Sequence, residues 1–362
     1  RTSGARRFAL ARYNADGTLD ASFSGDGKQV TALADSGDCG AQAVAIDADG
    51  RIVAAGFGTK YGNKVFAVAR YTANGQLDAT FGGGAGSVLT GHVGLTGSSA
   101  RAAVIEGSGR ILTAGHAFVA GQNNYALAAY EPDGTLSPSF SDDGKTIGLD
   151  GGSPGEAWAS DVAVDAAGRI VACGTSKRGG GPKRHILLVR LTPDGVWDPD
   201  FAVNGSTTLS IDPAYDDFAQ AMAIDADGRI VAALHTEIGG AHKFGVGRFT
   251  ADGEWDAAFG TDGRTLTAIS GWAAATCLAI NPANGKIVVG GSAALAPGAF
   301  SKFALARYSA SGAADASFSG DGKLTTSFPG SSNAFLTGVA ITGGGKIVAV
   351  GYACDWEAAP PG

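Results

Sequence analysis

The sequence is poor in charge, sulfur and long apolar runs. Only 17% of its 362 residues are charged, and it holds one methionine and four cysteines. No stretch of about 20 apolar residues occurs, so no membrane-spanning helix is expected. Basic residues number 27 against 34 acidic ones, for a net charge of −7. That balance lacks the basic surface of a sequence-independent nucleic-acid binder. The composition also disfavours helices, because 58 residues are glycine and each would cost about 1 kcal/mol in a helix interior. Glycine does not fall at every third position, which excludes collagen. With 44% hydrophobic residues the chain is not disordered. A turn-rich all-β protein remains. No hydrophobic signal segment is present. The chain starts at Arg1 and ends in Glu357-Ala358-Ala359-Pro360-Pro361-Gly362, so it reads as a processed protein or an excised domain that runs into a linker.

What is abundant is repetition. The basic residue of an Asp-Gly-Arg-Ile-Val phrase recurs as Arg51, Arg110, Arg169, Arg229, Lys286 and Lys346, with spacings of 59, 59, 60, 57 and 60. A phenylalanine recurs as Phe23, Phe81, Phe140, Phe201, Phe259 and Phe318 with nearly the same period. Each unit carries four strand-like runs. Gln42–Asp47 and Arg51–Gly56 flank an Asp-Gly turn, and Phe66–Tyr71 and Gly86–Thr90 follow. An Asp-Gly turn between apolar runs is a hairpin signal, and four antiparallel strands per repeat is the pattern of a propeller blade. A β-solenoid is the alternative, but its rungs are shorter and lack paired hairpins. The fold expected is a six-bladed β-propeller in one domain, with blades near 41–91, 100–150, 159–210, 219–269, 275–328 and 336–362 plus 1–35. The last blade is split between the termini, which would remove exposed strand edges.

The words Phe303-Ala304-Leu305-Ala306-Arg307-Tyr308 and Ala316-Ser317-Phe318-Ser319-Gly320-Asp321-Gly322-Lys323, echoed from Phe8 to Lys28, resemble the bacterial delta-60 repeat. That resemblance covers nearly the whole chain. It implies propeller-like blades and a secreted or surface location, and it implies no shared activity.

Arg12 shares a strand face with Phe8 and Leu10, and a charge there needs a partner. Asp20 is the candidate. The same pairing is expected for Arg70 with Asp78, Arg190 with Asp198, Arg248 with Asp256, and Arg307 with Asp315. In the remaining copy both charges are gone, as Ala129 and Ser137. The Gly-Asp-Gly-Lys phrases (Gly25–Lys28, Gly320–Lys323) offer one carboxylate each, too few for a calcium loop, and read as turns. Cys173 and Cys277 fall within strands. Cys39 follows the fourth strand of the split blade and Cys354 its second, so a disulfide between them is expected to tie the halves together.

No His-Glu-x-x-His, paired Cys-x-x-Cys, haem-attachment or Gly-x-Ser-x-Gly motif is present. No cofactor or bound metal is therefore expected, and whether the protein is an enzyme stays open. His116 and His235 occupy related places after second strands, whereas His92 and His242 read as loop residues. Lys177, Arg178 and Gly179–Gly181 form a basic loop. The loops into the innermost strands vary while the strands repeat, and variable loops on a rigid scaffold carry function. Trp158, Phe218 and Phe335 share one register position, with Trp272 close by. Asp212, Tyr215, Asp216 and Asp217 lie beside them, and Tyr61 and Trp356 lie in other loops of that face. The next inner position is polar, as Gln42, Arg101, Ser160, Gln220, Thr276 and Thr337. Aromatics with carboxylates suit sugar rings or peptides. The expected function is a secreted or surface-associated binding or scaffold protein. Its ligand at the central funnel would be a glycan, peptide or matrix polymer. A metal-dependent hydrolase or lyase at the funnel, and self-assembly into a layer or filament, are the alternatives.

Overall fold

The structure is a computed structural model, and it describes residues 5–33, 37–92, 97–148, 156–177, 182–296 and 298–355. Trp356, Arg178 and Gly179–Gly181 lie outside these residues. The chain forms two compact units. The first comprises 1–164, 168–170 and 191–197, and the second comprises 165–167, 171–190 and 198–362.

In the first unit, β1 (Phe8–Ala11) and β2 (Lys28–Thr31) form a two-stranded antiparallel sheet. Two four-stranded sheets follow. One runs β3 (Gly40–Ile46), β4 (Ile52–Lys60), β5 (Asn63–Tyr71), β6 (Ser87–Thr90), and the other β7 (Ser98–Ile105), β8 (Ile111–Val119), β9 (Gln122–Tyr130), β10 (Lys145–Gly148). The next sheet has the order β11 (Ala157–Val164), β12 (Ile170–Ser176), β13 (His185–Leu191), β14 (Ser206–Leu209). In the second unit come β15 (Asp217–Ile224), β16 (Ile230–Ile238), β17 (Ala241–Phe249), β18 (Arg264–Thr267), and then β19 (Trp272–Ile280), β20 (Ile287–Ala294), β21 (Lys302–Tyr308), β22 (Lys323–Thr326). A two-stranded sheet of β23 (Asn333–Ile341) and β24 (Ile347–Cys354) ends it. The fold is all-β, built of antiparallel four-stranded meanders.

The second and third strands of each meander read as continuous apolar runs because both of their faces are covered. Every residue of β12 and of β20 is buried, and so are the first seven of β4. The cover comes from the next sheet, whose first strand crosses the preceding one. Thus β7 packs on β3, β4 and β5, and β19 on β15, β16 and β17. The core is therefore a series of clusters between sheets, such as Val53, Phe66, Val68, Phe81, Ala126 and Tyr130 in the first unit.

The repeated Arg and Phe form the joint between neighbouring sheets. Arg70 Nε lies 2.7 Å from Asp78 Oδ2 and the guanidinium stands 4.8 Å from the Phe81 ring centre. Its Nη1 donates to the Pro132 carbonyl in the next sheet. Arg12, Arg190, Arg248 and Arg307 hold Asp20, Asp198, Asp256 and Asp315 at 2.6–2.8 Å in the same way. Burial pushes the Asp78 carboxyl up, but Thr80 hydrogen bonds and the Arg70 charge outweigh it and hold the pKa below the usual carboxylate value. The turn that follows β17 packs its glycine on the preceding phenylalanine. Gly253 has φ +87°, and a Cβ there would come within 2.5 Å of Phe201, so only glycine fits.

The Gly-Asp-Gly-Lys phrases are turns. Asp26 Oδ1 accepts from Lys28 N at 2.9 Å between Gly25 and Gly27, both of positive φ. The cysteine expectation fails. None of the four cysteines forms a disulfide, Cys39 among them. The Cys39 side chain is wholly buried, with Sγ 3.6 Å from Arg6 O and 3.9 Å from Thr31 O. It serves as core packing under the first two strands.

Candidate functional site

The polar inner position has a structural cause. Strand pairing slips by one residue between Ala41 and Ala43, Ala100 and Ala102, Ala219 and Ala221, Ala275 and Cys277, and Leu336 and Gly338. The residues skipped are Gln42, Arg101, Gln220, Thr276 and Thr337. Each sits at a β-bulge, which frees its side chain from the sheet's alternation and re-aims it. Gln42, Arg101, Thr276 and Thr337 are exposed, and Gln220 is half-buried.

Just before each bulge, the variable first-strand residue faces a fixed position on the second strand. Phe218 faces His235, Phe335 faces Tyr352, Ser99 faces His116 and Gly40 faces Phe57. In the second unit these pairs build an aromatic row. Phe218 stacks on His235 with ring centres 4.4 Å apart and planes 13° off parallel. Trp272, carried by β19 across the preceding sheet, meets His242 at 5.5 Å. The Arg184 guanidinium stands 5.9 Å from the Phe218 ring. Phe335 and Tyr352 stack separately at 5.2 Å. Phe218, His242 and Trp272 are half-buried, and Tyr352 is exposed.

The acidic residues beside the row anchor a loop. Asp216 Oδ1 accepts from Arg184 N at 2.8 Å and Asp216 Oδ2 lies 3.2 Å from Arg184 Nη1. Asp212 caps its own turn by accepting from Ala214 N. Tyr215 closes that turn, its N donating to Asp212 O. Asp217 is fully buried and accepts from Ile211 N (2.7 Å), Thr236 Oγ1 (2.5 Å) and Ser210 Oγ (3.2 Å). Burial raises its pKa, and these bonds offset part of that shift. Asp217 thus cannot meet a ligand, and its role is to position the loop. His185 Nδ1 lies 2.9 Å from Ser210 Oγ, which places the serine between histidine and aspartate. A hydrolytic triad has the histidine in the middle.

Sequence reasoning set the histidines aside, and two of them belong to the row. His242 lies on β17 rather than in a loop, and His235 is its neighbour on β16. Burial drops the His235 pKa to about 4, so the ring is neutral near pH 7 and stacks as an aromatic. The shared place of His116 and His235 after second strands was the available signal. His92 is structural, buried edge-on against Phe66 at 4.4 Å. Trp158, on β11 in the first unit, is half-buried. Tyr61 is 81% exposed on the β4–β5 hairpin. Among the described residues no group of three or more His, Cys, Asp or Glu side chains is arranged to hold a metal ion, and no helix is long and apolar enough to cross a membrane.

No curated protein matches the chain. Solved structures with a similar course include three of differing kind. An ulvan lyase described as a new polysaccharide lyase family shows 12% identity and a TM-score of 0.47, over 88% of this chain and 71% of that one. The α-L-arabinofuranosidase of Fusarium graminearum shows 9% identity and a TM-score of 0.49, over 88% of each chain. Drosophila Semaphorin 1b shows 9% identity and a TM-score of 0.44, over 86% of this chain and 71% of that one. Likenesses at this level bear on neither ligand nor reaction. The family described as a domain of unknown function (DUF5122) beta-propeller matches residues 1–23, 48–81, 107–140, 168–201 and 283–318, five stretches that each end at the repeated phenylalanine, and the chain is accordingly similar to that family and is a propeller-like repeat protein.

Proposed function

We propose that the protein is a secreted or surface-associated propeller that binds a glycan without transforming it. The binding face carries Phe218, His242 and Trp272, and the repeat is of the delta-60 kind. The observation that carries this reading is the half-buried row in which Phe218 stacks on His235 and Trp272 meets His242. Sugar rings bind by laying their C–H faces on aromatic rings while polar groups fix their hydroxyls. Here Arg184, Asp216 and the bulge residue Gln220 supply the polar groups. A glycan array read with the intact protein and with Phe218→Ala tests the reading. Binding of a defined glycan class that the variant loses supports it, and an array without any hit contradicts it.

The same reading takes the repeat to make six blades. In support, Arg12, Arg70, Arg190 and Arg248 each donate to a carbonyl 61 or 62 residues on, at Ala73, Pro132, Ala251 and Ala310.

A further inference from the structure

We propose that Lys64, Arg101 and His116 in the first unit form an anion-binding site for an oxyanion carried by a sugar, either a sulfate ester or a carboxylate. As to the sugar, this rests on the glycan reading above; the anion site itself does not.

Three neighbouring strands bring the cations together. Arg101 is the bulge residue of β7, which packs across β3, β4 and β5. Two residues before it, Ser99 pairs with His116 of β8 and its Oγ reaches Gln42 Oε1 at 3.2 Å. Lys64 of β5 extends over Phe57, Nζ 4.7 Å from the ring centre. Lys64 occupies in its sheet the place that His242 occupies in the aromatic row, and Phe57 the place of His235. The two faces are therefore the same repeat position filled with different chemistry.

The charge is unbalanced. Arg101 makes no hydrogen bond or ion pair among the described residues, and Lys64 makes no ion pair there. An arginine with five donors normally finds an acceptor. The Nδ1 atom of His116 is also buried without a partner. Burial lowers the His116 pKa most, and Arg101 and Lys64 lower it further, to about 4. No carboxylate contributes to that balance. Arg101 is solvent-exposed at its bulge, and the surrounding protein desolvates it enough to lower its pKa. Two exposed cations without an ion pair, beside a histidine ring with an unsatisfied nitrogen, fit a tetrahedral or planar oxyanion.

The test uses the intact chain. Inorganic sulfate is titrated at constant ionic strength while the His116 ring signals are followed by NMR, beside Arg101→Gln and Lys64→Gln. Both variants change exposed side chains, and their circular dichroism checks the fold. A saturable shift of His116 that either variant weakens about tenfold or more supports the site. No shift in the wild-type protein, or equal shifts in the variants (an adventitious ion only), overturns it. Sulfated, uronate-containing and neutral oligosaccharides then separate the sources. Preference for one charged class over the neutral one, lost in Arg101→Gln, supports the proposal and names the anion. Binding of the neutral oligosaccharide with no response to sulfate overturns the anion site and leaves the glycan reading standing. A response to sulfate with no binding of any oligosaccharide overturns the glycan reading instead and retains the anion site.

Discussion

Arg190 Nε rests 2.6 Å from Asp198 Oδ2, and the two side chains are only 1% and 6% exposed. A pair so deeply buried adds little net stability, because desolvation offsets the attraction, but removing one member strands a charge. Asp198→Asn is expected to cost about 3–5 kcal/mol in urea unfolding. Arg190→Ala with Asp198→Ser, which copies the Ala129 and Ser137 combination, is expected to cost less than the two single changes summed. Additive costs would show that the two residues do not depend on each other.

The buried histidines set a pH dependence. Burial holds His92 at about 4 instead of its ordinary 6.5, so the folded protein keeps it neutral while the unfolded chain takes up a proton. Stability from this source is complete above about pH 6.5 and is lost as the pH falls toward 4. The loss is on the order of 3 kcal/mol. His92→Phe, placed edge-on against Phe66, is expected to flatten the stability profile between pH 6.5 and 4 by that amount. An NMR titration of His92 in the folded protein with a midpoint near 6.5 would contradict this.

The thiols are countable. Four cysteines are present, with Cys39, Cys173 and Cys277 buried and Cys354 partly exposed. A thiol reagent without reductant is expected to react with at most Cys354 in the native protein and with four groups after denaturation. Two groups after denaturation would restore the Cys39–Cys354 bond.

Much of the fold was legible because it is local. Short apolar runs, Asp-Gly turns and the eight-residue spacing of Arg12 and Asp20 all act within one repeat, and six copies make the pattern plain. The site was legible only in part. Phe218 and Trp272 stood out as rings that break the repeat, but their partners His235 and His242 depend on which strands cross, and one sequence does not display that. Asp217 looked the same as Asp216 in the sequence, and only burial separates a loop anchor from a surface carboxylate. Cys39 misled for a similar reason. Its place in the repeat put it near an expected seam, whereas its side chain turns into the core.

The most direct test of the glycan reading is calorimetric titration of the best array glycan into wild-type protein and into Trp272→Ala. The account predicts saturable binding that the substitution weakens about tenfold or more, with the unfolding transition little changed. Equal affinity in the two proteins would contradict it.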